Sequence, residues 1–230
     1  MASSSTKLTS IGIEPSEGFP TQAYEIIHSI LTKYKDSHFI SWQQFAGSWN
    51  AVGYRYKTLT EHDEAFTNSI ETFGVSVPQP QRYIQERELF GFFTVGLAII
   101  EAFYYGQYAI GSMIKPEKIP LLSETHFEKV SPRFTAKQFQ ENFPDELITQ
   151  RLQSILVSEK FKEWNKIRNV LIHRASPGRA YHHGGDIHNK TMWLTGILID
   201  HETTAERKKW ITSVLNEVLT PTADFCRKYL

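Results

Sequence analysis

FKEWNKIRNVLIHRASPGR, residues Phe161–Arg179, reads as one amphipathic helix that stops at Pro177-Gly178. At 100° per residue, Phe161, Trp164, Ile167, Leu171, Ile172 and Ala175 fall in one broad arc, the apolar stripe of a core-facing helix. Arg168 falls in the middle of that arc. A guanidinium stays charged when buried, so Arg168 requires a partner, a shared surface or a ligand. His173 follows five residues later, about 140° further round a regular helix. The two side chains converge only if the helix loosens near His173 or if two copies of the site meet across a dimer.

Upstream, Asn142-Phe-Pro144-Asp145 reads as a helix start, with Leu147, Ile148, Leu152, Ile155 and Leu156 as its apolar side. No Gly or Pro separates this segment from Phe161, so the pattern permits one continuous helix. Lys115–Gln140, with Pro116, Pro120 and Pro132, reads as a connection. Before it lies the most apolar stretch, Leu89–Ile114, which carries one charge, Glu101. Its length would cross a bilayer. A central acid is costly in hydrocarbon, and four glycines, Gln107 and three tyrosines also argue against a span. The expectation is a core helix, with Thr94, Ala98, Ala102 and Gly106 as a row of small residues that admits a close neighbour.

Nearer the N-terminus the spacing predicts helices from Thr21 to about Lys35, from Ser41 to Tyr56, and from Glu61 to Phe73, the last capped by Thr60 and stopped by Gly74–Pro80. Residues 1–20 read as a loosely attached arm, with no apolar run of the signal-peptide kind. After Pro177-Gly178, TMWLTGILID suggests a short hairpin with the residues before Gly184-Gly185. Thr203-x-x-Glu206 then reads as a capping box for a last helix interrupted at Pro221. The fold class expected is all-α: one helical domain over residues 21–230, with extra N-terminal helices and a possible short hairpin after the Phe161 helix.

The 230 residues balance 25 basic against 25 acidic side chains, which excludes a whole-protein basic field for nucleic acid. A local bias exists between Lys166 and Lys190, where Lys166, Arg168, Arg174, Arg179 and Lys190 face Asp186 alone and four histidines join them. Cys226 is the single cysteine, so neither an intrachain disulfide nor a thiolate metal cluster can form, and a reducing, cytoplasmic setting is expected. His182, His183, Asp186 and His188 have metal-ligand chemistry, yet adjacent histidines rarely reach one ion, so no metal is assigned. G-x-x-x-x-G-K-[ST], G-x-S-x-G and H-E-x-x-H are all absent.

Arg168-Asn169-Val170-Leu171-Ile172-His173 resembles the R-N-x-x-x-H motif of HEPN domains. The resemblance covers about one helix of the chain. It implies an α-helical bundle that dimerises and, in many members, a metal-independent endoribonuclease needing no cofactor. It assigns Arg168 and His173 as the catalytic pair, Asn169 as the polar second position, and Glu101 as the acidic residue from another helix. The Tyr that toxin members carry two residues past the His is replaced by Ala175. The chemistry suits the residue types: histidine moves protons near neutral pH, and arginine offers paired donors to phosphoryl charge. Arg174, Arg179, Lys190, His182 and His183 are the expected contacts to single-stranded RNA. The alternative is a non-catalytic scaffold that binds protein or nucleotide, in which Arg168 pairs with Glu101 and His173 caps helix carbonyls.

Overall fold

The structure is a computed structural model. It describes residues 12–173, 178–182, 190–193 and 196–230, the side chains of 181, 182 and 190 excepted. Among these residues the chain is all-α apart from one antiparallel hairpin. The elements are α1 Thr21–Thr32, α2 Phe39–Phe73, α3 Gln79–Ile114, α4 Glu124–Phe127, α5 Pro132–Asn142, α6 Leu147–Val157, α7 Glu159–His173, β1 Arg179–His182, β2 Lys190–Trp193 and α8 Glu202–Tyr229. The chain divides into two compact units. The first holds residues up to Lys57, Ala98–Ser158 and Thr212–Leu230, and the second holds Thr58–Leu97 and Glu159–Ile211.

Several helix boundaries differ from those read in the sequence. The two helices expected over 41–73 are one, α2. Thr60 lies buried inside it, not at a cap. No Gly-Pro breaker separates Tyr56 from Glu61, and burial of Leu59 and Phe66 favours continued helix over a cap. Pro78 and Pro80 mark the start of α3, not only the stop before it. The Pro78 carbonyl accepts from the Arg82 N–H at 2.9 Å, and Pro80 sits where an N–H has no helical partner anyway.

Within the region read as a connection, Ser131 caps α5 by accepting from the Phe134 N–H at 3.2 Å, with Pro132 in the first turn. Asn142 therefore ends a helix where it was expected to begin one. Ser158 turns extended at ψ 142° and separates α6 from α7, so the continuous helix is not formed. The last helix starts at Glu202, just ahead of the expected box. Asp200 Oδ1 accepts from the Glu202 N–H at 2.9 Å, while Thr203 Oγ1 accepts from the Asp200 N–H at 2.8 Å. Pro221 lies inside α8, which runs on to Tyr229.

The first unit is centred on aromatic side chains. Tyr24 stacks on Trp49 with ring centroids 5.1 Å apart, and its hydroxyl donates to the Trp49 carbonyl at 2.9 Å. A Cβ on Gly106 would stand 3.2 Å from Ser48 Oγ and 3.3 Å from the Trp49 ring, so the small residue there sets how closely α2 and α3 approach. The second unit packs Leu59, Phe66, Leu89, Phe92 and Phe93 with Trp164 of α7 and Trp193 of β2. The hairpin register pairs Arg179 with Trp193 and His182 with Lys190. The most apolar 18-residue window of α3 passes a length-and-composition test for a membrane span, but 61% of it is buried inside the protein, as in a core helix.

Candidate functional site

α7 carries the motif and belongs to the second unit. Phe161, Trp164 and Ile167 are its buried residues, as the apolar stripe required, while Ile172, placed in the same arc, is exposed. Trp164 is wholly buried, stacked on Phe92 at 5.5 Å and edge-on to Phe93 at 5.2 Å. A Cβ on Gly96 would stand 2.3 Å from the Trp164 ring, so only glycine lets the indole seat there. Glu163 accepts from Arg207 of α8 at 2.5 Å, and that guanidinium also donates to the Thr203 carbonyl and lies over the Phe93 ring. α7 is thus held by an aromatic contact on one side and an ion pair on another.

On this fixed helix Arg168 is half-buried, while Asn169 and His173 are exposed. The helix stays α-helical through His173, the last residue described before 178. Within one chain the loosening that would bring Arg168 and His173 together is therefore not taken. Glu101, the expected acidic member, lies on α3 in the first unit, so it and Arg168 belong to different units. Glu101 lines a cleft of about 690 Å³ in the first unit, together with Gln44, Gly47, Arg55, Ala102 and Tyr105.

The expected RNA-contacting residues divide. Arg174 and His183 lie outside the described residues. His182 and Lys190 are paired across the hairpin, and their side chains are not described. Arg179, expected on an exposed basic rim, has a fully buried side chain. Its Nε donates to Glu86 at 2.5 Å, and its Nη1 donates to Gln85 Oε1 at 2.8 Å and to the Val75 carbonyl at 3.0 Å. Trp193 Nε1 donates to the other Glu86 oxygen at 2.7 Å. Arg179 is a buried clamp that fastens the hairpin to α3. Among the described residues no group of three or more His, Cys, Asp or Glu is placed to hold a metal ion. His183, Asp186 and His188 lie outside them.

His62, outside the four histidines near the motif, carries no signal in the sequence. In the second unit His62 Nδ1 bonds Glu88 at 2.7 Å, and Arg87 Nε donates to the same carboxylate at 2.7 Å. Glu88 is buried. Burial works against its ionisation, but the hydrogen bonds from His62 and Arg87 outweigh it and hold the carboxyl below its ordinary range. A Cβ on Gly91 would stand 2.3 Å from His62 Nε2, so that glycine makes room for the ring. His62 and Glu88 are 26 positions apart on two helices, a separation that no local motif advertises.

No protein-family model, no curated protein and no solved structure matches this chain.

Proposed function

We propose that this protein is a HEPN-like endoribonuclease. It cuts single-stranded RNA in the cytoplasm as a homodimer, with Arg168, Asn169 and His173 forming the site and no metal or cofactor required. The observation that carries the reading is the placement of the motif on α7. Arg168 is half-buried beside the core stripe, and His173 is exposed five residues on, on a helix that remains regular. One copy holds the two side chains about 140° apart. A two-fold axis that brings two α7 helices together sets Arg168 of one chain against His173 of the partner subunit, and repeats the arrangement once.

In the proposed reaction the RNA 2′-hydroxyl is the nucleophile. His173 moves the proton between that hydroxyl and the departing 5′-oxygen. The 2′-oxygen forms a bond to phosphorus as the bond to the 5′-oxygen breaks, giving a 2′,3′-cyclic phosphate and a 5′-hydroxyl with no net uptake of water. Arg168 offers paired N–H donors to the charge that builds on the phosphoryl oxygens. Asn169, exposed on the next position of α7, donates to the RNA backbone.

The test is incubation with a labelled, unstructured RNA in EDTA, beside His173→Ala. The variant should lose about 10²–10⁴-fold in rate while keeping its RNA affinity. Equal cleavage by both proteins would remove His173 from the chemistry. No cleavage by either over a range of RNAs would favour a second reading, a non-catalytic helical scaffold. One observation supports that second reading. Tyr83, Ile84 and Phe90 are all exposed on the N-terminal half of α3, a surface suited to another macromolecule.

A further inference from the structure

Arginines drawn into this protein are matched with carboxylates. Arg82 and Arg179 face Glu86, and Arg207 faces Glu163. Arg55, half-buried on α2, breaks that pattern. Its Nη1 donates to the Ala98 carbonyl at 2.9 Å, and among the described residues it forms no ion pair. The other N–H groups of its fork are left over. Drawing a cation part-way out of water without an anion is unfavourable. What Arg55 lacks within the chain, a ligand can supply.

Arg55 lines the cleft of about 690 Å³ in the first unit, a volume within the range of small-molecule sites. Two hydrogen bonds that cross between α2 and α3 mark its length. One joins Arg55 to Ala98; in the other the Tyr105 hydroxyl donates to Gln44 Oε1 at 2.7 Å. Ala98 and Tyr105 stand seven positions apart on α3, about 10.5 Å of helix rise. Between these bridges Ala51 of α2 and Ala102 of α3 present only methyl groups, and Val130 and Pro132 add apolar wall. Two polar side chains share that stretch, and neither awaits a partner. Ser48 donates to the Phe45 carbonyl at 2.9 Å, and Glu101 already has an interaction within the protein. The unmatched charge of the cleft is therefore positive, and it sits at one end of an apolar run.

We propose that this cleft binds a linear apolar carboxylate of about eight carbons. Its carboxylate takes paired N–H groups of Arg55, and its chain runs over Ala51 and Ala102 to end against Tyr105. Carbon–carbon bonds of about 1.52 Å at about 111° advance an extended chain roughly 1.25 Å each, so about eight carbons fill the span between the bridges. Glu101 beside the chain repels a second carboxylate, which favours a monoacid over a diacid. The proposal does not depend on the ribonuclease reading, which rests on α7 in the other unit. Calorimetric titration of the full chain tests it with butanoate, hexanoate, octanoate and decanoate. Octan-1-ol serves as the uncharged analogue, and inorganic phosphate as an anion without a chain.

Affinity should rise about 2–4-fold with each methylene from butanoate to octanoate, the upper figure being full burial. It should change less than about 2-fold from octanoate to decanoate, whose end passes the Tyr105 bridge. Octan-1-ol should bind at least about 10-fold more weakly than octanoate, the scale of one charge-assisted hydrogen bond. Arg55→Gln should weaken octanoate by a similar factor and leave octan-1-ol unchanged. Ala51→Leu fills the floor with a strong helix former, so it should weaken octanoate more than butanoate, with a thermal melt confirming that each variant folds. Failure of octanoate to bind the wild-type chain overturns the proposal. So do an affinity independent of chain length, equal binding of octan-1-ol and octanoate, and inorganic phosphate binding more tightly than octanoate. Unaltered octanoate binding by folded Arg55→Gln overturns it as well; the chain-length and head-group series on wild type decide the matter even if that variant does not fold.

Discussion

Replacing Arg179 by alanine removes a guanidinium whose side chain is fully buried and which serves Glu86, Gln85 and the Val75 carbonyl at once. The loss leaves Glu86, 17% exposed, with the Trp193 Nε1 hydrogen bond and a longer ion pair to Arg82 at 3.9 Å. It also takes a donor from Gln85, which ties Arg179 to the end of α2 through the Gly74 carbonyl at 3.0 Å. Breaking a buried pair from one side typically costs about 3–5 kcal/mol, because the partner charge loses its close compensation. At roughly 2–4 °C per kcal/mol for a chain of this size, the melting temperature should fall by about 6–20 °C. The assay is a thermal melt followed by circular dichroism. Arg179→Lys serves as the intermediate case, since it restores the charge without the fork. A surface arginine on an RNA-binding rim would behave otherwise: its removal would leave the melt unchanged and reduce the salt dependence of RNA binding by about one unit. A melting temperature unaltered in Arg179→Ala would refute the clamp.

Gly96→Ala should destabilise the second unit by about 1–3 kcal/mol, since the new Cβ lands 2.3 Å from a Trp164 ring with nowhere to retreat, and a melt beside wild type checks it. Glu88 gives a pH signature. Its folded-state pKa is held below the ordinary carboxylate range, so its contribution is present above that range and is lost as pH falls through the lower, folded value. Acid melts should therefore lose stability more steeply in wild type than in Glu88→Gln, and parallel acid limbs would contradict the assignment. Cys226 is buried, and burial pushes its thiol up to about 12, so maleimide should label it only in denaturant. Rapid labelling of the native protein would contradict its burial.

The helical class and the main core faces were legible because long apolar periodicity is a strong signal. Trp164 and Ile167 lie inward as their spacing required, and Leu89–Ile114 is part of a core helix. Boundaries were less legible because a capping residue acts only where backbone N–H groups are left without helical partners. Thr60 has the chemistry of a cap, but helix runs through it; Ser131, set among prolines, is a cap that was passed over. The hairpin was readable from Met192 and Trp193 following Gly184-Gly185 in the sequence, but its anchor was not. Arg179 looks like any surface arginine until Glu86 and Gln85, more than ninety positions away, are brought to it. The His62–Glu88 pair and the Gly47 cleft were illegible for the same reason, since each is assembled from separate helices.

The claim that Arg168 and His173 act from opposite chains is tested most directly by mixing two inactive variants, Arg168→Ala and His173→Ala, under conditions where dimers exchange, and measuring RNA cleavage in EDTA. In a mixed dimer, one site loses both groups and the other keeps both. Half of the dimers are mixed at random assortment, so cleavage should return to about a quarter of the wild-type rate. If the mixture stays as inactive as either variant alone while wild type cleaves, each site is built within one chain and the two-chain arrangement is wrong.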